Sequence, residues 1–360
     1  MSYCKSFEFV ECYATYWIWR TIPIVYLAVG TCGNLLNITI LSRARMRRQT
    51  MSVYLTALAI SDLLFLWTAV LPRIIEKING THLSDMFPYV FCQTLPWINH
   101  VTGGYSVWLL AAMSFERMLM TKYIIFARTR LTIRNAIIWT CILFVICVFL
   151  PLHIFFGYEV QTTRGCQWNE HYGEFYGTTW PVMVLVLLNI IPMIIIIVGN
   201  AGILINVVQQ KRNLRRIDPH SAHTNVHGNN KFKPMTKMLF IISLFFILTT
   251  LPFTLFQIFW LDLDHSTPHA LARRDLLDTF FDTLLYSNYT FNFFLYCISG
   301  SIFKQEWKAF IEQISRRFRR RNQTAPVGTV STTSSRNDAA RANVTESASQ
   351  NNTMRGDSRA

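Results

Sequence analysis

In a chain with few charges, two acidic features could do chemistry. Glu116 and Arg117 stand side by side after residues 93–115, a stretch of 23 without Asp, Glu, Lys or Arg, and the chain then returns to Met118, Leu119 and Met120. Asp62 is the only acid in the apolar run from Met51 to Ile75. Neither feature signals an enzyme: no HExxH or GxSxG pattern occurs, so neither a zinc-hydrolase helix nor a nucleophile elbow is indicated. Their chemistry is that of pairing. An acid in apolar surroundings costs roughly 2.5–3.5 kcal/mol on membrane-insertion scales, so Asp62 should face a wet cavity and polar partners. Adjacent charges at a membrane boundary can neutralise each other, and as a bare interfacial anchor the Glu116–Arg117 pair would need no further role.

The elements that must carry these residues follow from composition. Of 360 residues, 51% are hydrophobic and 15% charged, and mean hydropathy is +0.26. Soluble proteins carry about 25% charged residues. A membrane-crossing helix needs about 20 apolar residues, and seven runs qualify: Trp19–Leu41, Met51–Ile75, Phe91–Tyr123, Asn135–Phe156, Thr178–Gln210, Met238–Trp260 and Thr283–Phe303. Barrel strands would be about 10 residues long and would alternate. The fold class expected is an all-α integral membrane protein, a seven-transmembrane helix bundle. The first residues lack a basic start followed by an apolar core, so the first span is expected to serve as its own insertion signal.

Charge gives the orientation. Segments such as SRARMRRQT (42–50) and SRRFRRR (315–321) alternate along the chain with segments holding seven bases against twelve acids, a balance of −5, so the net +14 lies on the other side. By the positive-inside rule the N-terminus is extracellular and the C-terminus cytoplasmic, in a multi-pass plasma-membrane protein. Nucleic-acid binding is disfavoured as the reason for the basicity, because the bases sit next to the membrane, where anionic lipid and a cytoplasmic partner are nearer. Cys4, Cys12, Cys92 and Cys166 fall on the oxidising side, where disulfides persist. A Cys92–Cys166 bridge would pin the loop between spans four and five over the mouth of the bundle. Cys92 and Arg117, 25 residues apart, are on the order of 37 Å apart along a helix and mark the two ends of the third span.

Seven spans with a cysteine 25 residues before Glu116–Arg117–Met118 resemble the rhodopsin-like (class A) G-protein-coupled receptors. Gly33–Asn34, the LAISD ending at Asp62, Trp139, Pro192, Phe246 with Pro252, and NFFLY at Asn292–Tyr296 fall in the same order as that family's marks. The chain is most similar to invertebrate neuropeptide receptors of the FMRFamide and myosuppressin type. The resemblance implies that Arg117 engages a heterotrimeric G protein, that Glu116 restrains it beforehand, and that Asn292 and Tyr296 belong to the same switch. It implies transmission through Pro192, Phe246, Thr250 and Pro252, and a sodium-like pocket of Asp62, Ser106, Asn288 and Asn292; sodium would be an allosteric modulator, and no other cofactor or metal is implied. Three departures stand out: Thr250 replaces the family's tryptophan, Phe293 its proline, and Phe232 an acid that would restrain the arginine a second time.

A retinal pigment needs a lysine in span seven, where Tyr286 stands, and amine receptors resemble one another in an acid where this chain has Asn99. The acidic outer face, with Asp278 and Asp282 four residues apart, favours a basic or amidated peptide. Asn99, Gln257, Asp278, Asp282 and Tyr286 are the candidate contacts, although either Asp could pair with Arg73, Lys77 or Arg274 instead. Asn79, in an NGT sequon, is the glycosylation candidate. The organisation expected is residues 1–18 as an extracellular N-terminus, 19–303 as the bundle, 304–318 as a short amphipathic eighth helix on the inner leaflet, and 319–360 as a disordered tail whose hydroxyls could be phosphorylated by a receptor kinase to recruit arrestin. A receptor for a small non-peptide ligand is the alternative. A transporter or channel is disfavoured, because internal repeats are absent from the sequence.

Overall fold

The computed structural model describes residues 9–80, 83, 87–123, 129–161, 165–217, 233–259 and 266–323. Cys4 and Phe232, and with them the second restraint on Arg117, lie outside the described residues. Among the described residues seven helical segments pack into one bundle: α1 (Val10–Leu41), α2 (Thr50–Asn79), α3 (Pro88–Lys122), α4 (Ile133–Phe149), α5 (residues 175–217), α6 (Lys233–Phe259) and α7 (Pro268–Thr290). A break at Phe291 (φ −91°, ψ 4°) separates α7 from α8 (Asn292–Ser299), and α9 (Ser301–Gln323) follows Gly300. α3 touches α2, α4, α5 and α6, and α7 packs against α1. Between α4 and α5 the chain forms an antiparallel hairpin, β1 (Tyr158–Gln161) with β2 (Gly165–Trp168), in which Val160 faces Cys166. The hairpin is an addition to the all-α expectation; four-residue strands leave too little periodicity to register in the sequence.

Five helices are apolar and long enough to cross a membrane by composition alone: α1, α2, α4 with its following turn, α5 and α6. α3 and α7 fall short because their inward faces are polar. Thr102, Ser106, Ser114, Glu116 and Arg117 are buried on α3, and Thr279, Thr283, Ser287 and Asn288 on α7. The outward faces reverse the soluble pattern: α4 exposes Ile137, Ile138, Trp139 and Ile146, as hydrocarbon-facing positions require.

Prolines shape the bundle. Among the described residues three widened π-turns occur, at Leu66–Val70, Phe175–Thr179 and Leu185–Ile190, and each is followed two residues later by a proline: Pro72, Pro181 and Pro192. A proline donates no hydrogen bond and its ring crowds the carbonyl four residues back, so a wider preceding turn relieves both problems.

The helices overrun the apolar runs, with α1 starting at Val10 rather than Trp19 and the last helix covering Ser301–Gln323 rather than 304–318. Residues up to Ile314 form one compact unit and 315–360 a second, described only as far as the end of α9. On α9, Glu306 pairs with Arg43 (2.9 Å) and Arg45 (3.7 Å) from the turn after α1.

At Gly199 a Cβ would lie 3.1 Å from the backbone of Ser114, so α5 and α3 meet backbone to backbone there. Gly199→Leu should therefore cost about 1–3 kcal/mol by overpacking and lower the thermal midpoint of the detergent-solubilised protein. Gly177→Leu, which has open space around it, serves as the control.

Candidate functional site

The chemistry-bearing residues collect at three levels along the bundle. At mid-height is Asp62 on α2, 1% exposed. Ser106 Oγ of α3 donates to one carboxylate oxygen (2.8 Å) and Asn292 Nδ2 of α8 to the other (2.6 Å). Asn288 lies one turn before Asn292 and is equally buried; the side-chain oxygens of both asparagines have no hydrogen-bond partner. Of the four residues expected to share a pocket, Ser106 and Asn292 are hydrogen-bonded to Asp62, while Asn288 is buried one turn before Asn292 with no bond to the carboxylate. Asn34 Nδ2 donates to the Tyr289 carbonyl (2.9 Å), tying α1 to the same end of α7.

At one end of the bundle are Glu116 and Arg117, 7% and 4% exposed, with their charged atoms 4.0 Å apart. Arg117 Nη2 donates to Thr50 Oγ1 at the start of α2 (3.3 Å) and Nη1 to Met120 Sδ (2.9 Å), while Nε has no partner. Such burial does not suit a simple interfacial anchor, whose charge would reach water. Tyr296 on α8 is fully buried, its hydroxyl unpartnered and its ring against Phe303 (5.5 Å). Phe293, in the place of the family's proline, packs on Phe303 and Trp307 of α9 and against Gly33. The helix still breaks at Phe291, so the break does not need a proline.

Between these levels Phe246 is fully buried and Thr250 1% exposed, its hydroxyl without a partner one turn below Thr254, which donates to the Thr250 carbonyl (2.9 Å). Pro192 is buried and Pro252 half-buried.

At the opposite end from Arg117, Cys92 and Cys166 are joined, Cα to Cα 5.3 Å, which fastens β2 to the start of α3. Gln93 Nε2 adds a bond to the Tyr158 carbonyl of β1 (2.8 Å), and burial holds the Tyr158 phenol above its ordinary range. Cys12 is also disulfide-bonded, and its partner lies outside the described residues. Beneath the hairpin a cavity of about 270 Å³ is lined by Arg73 and Glu76 of α2, Cys92, Pro96 and Asn99 of α3, and Tyr158.

The candidate ligand contacts divide. Asn99 lines this cavity, its Oδ1 buried and unpartnered. Asp278 is engaged from within the protein: Arg73 Nη2 lies 3.6 Å from it, while Arg73 Nη1 donates to both oxygens of Glu76 (3.1 and 3.0 Å). Of the alternative pairings foreseen for these acids, the one seen is Asp278 with Arg73; Asp282 and Tyr286 lie deeper on α7. Gln257 is exposed on α6 beside exposed Ile258 and Phe259 and does not line the cavity. Asn79 is exposed at the end of α2, ahead of Gly80 in the left-handed region (φ 74°). Glu76 and Tyr158 were not among the expected contacts. For Glu76 the signal was present, since Arg73 and Glu76 stand three apart on one helical face; for Tyr158 it was not, because the hairpin places it.

A family model, "7 transmembrane receptor (rhodopsin family)", matches residues 33–296. The chain belongs to this family of membrane receptors. It is similar to the Gq-coupled rhodopsin of Mizuhopecten yessoensis, 24% identical over 66% of this chain and 50% of the relative. It also resembles a galanin-like G-protein coupled receptor of Caenorhabditis elegans, 31% identical over 36% of this chain and 29% of the relative. Neuropeptides B/W receptor type 2 of Bos taurus is 28% identical over 79% of this chain and 83% of the relative. The matches thus span half the length of the first relative and under a third of the second.

If the disulfide serves to hold the hairpin over the cavity, Cys92→Ser and Cys166→Ser should each reduce surface delivery, and the double mutant should add little to either. Additive losses on quantitative surface labelling would show that the lid acts through something else.

Proposed function

We propose that this chain is a cell-surface receptor for a basic or amidated extracellular peptide, and that it passes agonist binding to a heterotrimeric G protein at the Glu116–Arg117 end. The observation that carries the reading is the alignment of three buried polar sites. A partly open cavity beside the hairpin lies at one end, the Asp62 cluster joins α2, α3 and α8 at mid-height, and a buried arginine waits at the other end. A change in how α7 meets the cavity would move Asn292 and Tyr296 together. Two of the relatives are receptors whose names carry neuropeptides or galanin, which supports a peptide. The rhodopsin relative does not argue for retinal here, because α7 contains no lysine to form a Schiff base.

In this reading the disulfide end is extracellular and α9 cytoplasmic, resting on the inner leaflet, with residues 319–360 serving arrestin and a receptor kinase. The chain signals and performs no catalysis of its own. Glu116 restrains Arg117, whose side chain must leave Thr50 to reach a G protein. The Asp62 cluster takes a sodium ion: the carboxylate, Ser106 Oγ and the orphaned Asn288 and Asn292 oxygens suit a hard cation.

A library of neuropeptides screened by agonist-stimulated nucleotide exchange on added G protein tests the reading. Arg117→Ala should keep surface expression and peptide binding while abolishing exchange; normal exchange from it would reduce the pair to an anchor. Replacing sodium by potassium should lower the thermal midpoint of wild type and leave Asp62→Asn unchanged, whereas equal responses in the two would remove the ion from the Asp62 cluster.

A further inference from the structure

The segment that leads into α2 sets an Arg–Arg–X–Thr pattern directly against the buried arginine of α3. Arg47 and Arg48 are exposed, Gln49 follows, and Thr50 is the first residue of α2 and half-buried. Its hydroxyl accepts from Arg117 Nη2 at 3.3 Å. For a guanidinium that is 4% exposed, Arg117 is poorly supplied with acceptors. Nη1 rests on the Met120 thioether, a weak acceptor, Glu116 stands 4.0 Å away, and Nε has no partner. The start of α2 is short of an acceptor too, because the side chain of Gln49 makes no cap to the first turn. Buried donors normally find partners, and both shortages meet at the Thr50 hydroxyl.

We infer that Thr50 is a phosphorylation site for a protein kinase that selects arginines two and three residues before its target, and that the phosphate clamps Arg117 to α2. The inference rests on the receptor reading for its orientation, which puts this turn on the cytoplasmic side, where nucleoside triphosphate is present. The Thr50 oxygen attacks the γ-phosphorus of the triphosphate, the bond from that phosphorus to the bridging oxygen breaks, and nucleoside diphosphate leaves. The hydroxyl proton passes to a base of the kinase. The turn must open to enter the kinase, and what holds it at this point is the Met46 carbonyl, which accepts from Gln49 N–H (3.0 Å) and Ser52 Oγ (2.7 Å). A phosphate brings a charge of about −1.5 to −2 and three acceptor oxygens. On the first residue of α2 it meets the positive end of the helix, and it offers the guanidinium a two-pronged acceptor for Nε and Nη2. Glu116 gives way as the partner of Arg117 and keeps Tyr54, which it faces one turn into α2. Arg117 thus exchanges a neutral hydroxyl and a thioether for an anion. Leaving α2 becomes harder, and the G-protein end is switched off without a second protein.

The test incubates the purified full chain in detergent with magnesium, ATP and a kinase of that selectivity, and maps phosphate by mass spectrometry. Phosphate should appear on Thr50, and replacing Arg47 and Arg48 together by Ala should lower its incorporation by about tenfold, as loss of charge complementarity predicts. The modified wild type should melt several degrees above the unmodified protein. Thr50→Val, which can be modified only elsewhere, should show no such rise. Arg117→Ala should take the phosphate on Thr50 and show no rise either, because the clamp has lost its cation. If Arg117→Ala does not fold, Arg117→Lys decides: it keeps the charge without the planar fork, so its rise should be smaller than that of wild type. No phosphate on Thr50, no rise in the midpoint, or a full rise without Thr50 or the Arg117 guanidinium would overturn the inference. A rise that depends on both residues, in a chain that no peptide drives to nucleotide exchange, would sink the receptor reading and leave the clamp standing. Peptide-driven exchange undiminished by phosphate on Thr50 would do the reverse.

Discussion

A carboxylate buried at mid-height in a membrane-spanning bundle must find its hydrogen-bond donors within the bundle, because lipid supplies none. Asp62 meets this constraint by drawing on two other helices, Ser106 of α3 and Asn292 of α8. Much of the architecture can be traced from that requirement. Asn292 reaches Asp62 from the residue just after the break at Phe291, and Tyr296 follows one turn later with its hydroxyl buried and unpartnered. Phe293 keeps the break without a proline by lodging between Gly33 and the rings of Phe303 and Trp307. At the polar seam α2, α3 and the α7–α8 joint answer to the same group.

Backbone strain is handled elsewhere by proline. Pro72, Pro181 and Pro192 each follow a π-turn by two residues, whereas Pro23, Pro96 and Pro252 sit in helices without one nearby. A widened turn rotates everything beyond it relative to the preceding face. The turn at Leu66–Val70 thus sets the direction in which Arg73 and Glu76 emerge from α2, and so which residues line the cavity.

The two ends of the bundle use charge differently. At the disulfide end Arg73 is held by carboxylates on its own helix and on α7, a cross-helix arrangement that is partly exposed. Exposed pairs of this kind contribute little to stability, with a median of about 0–1 kcal/mol. They can be rearranged at low cost. At the other end Arg117 is nearly sealed, and its contacts with Glu116, Thr50 and Met120 leave Nε unmatched. Breaking up a buried pair is expensive, so that end resists change until something replaces its partners.

Composition and run length alone determined the class of fold, because a bilayer imposes a minimum apolar length that can be counted residue by residue. The ordered marks from Gly33 to Tyr296 likewise pointed to the receptor family, since each is a local pattern. A lone acid within an apolar run marked Asp62 as internal, because burial of such a group is too costly to be incidental, whereas Arg117 was expected at the membrane boundary and Asn292 stood out only through the resemblance. The neighbours of each group, however, depend on helix rotation and on chain segments hundreds of residues apart, which no local pattern encodes. Only the tertiary structure showed that Arg73 holds Glu76 and Asp278, that Gln257 is exposed while Asn99 lines a cavity, and that a hairpin of two four-residue strands puts Tyr158 beside it. The helix ends also had to be seen, since α1 and α9 extend beyond the apolar runs on residues whose helicity comes from continuing an established helix rather than from hydrophobicity.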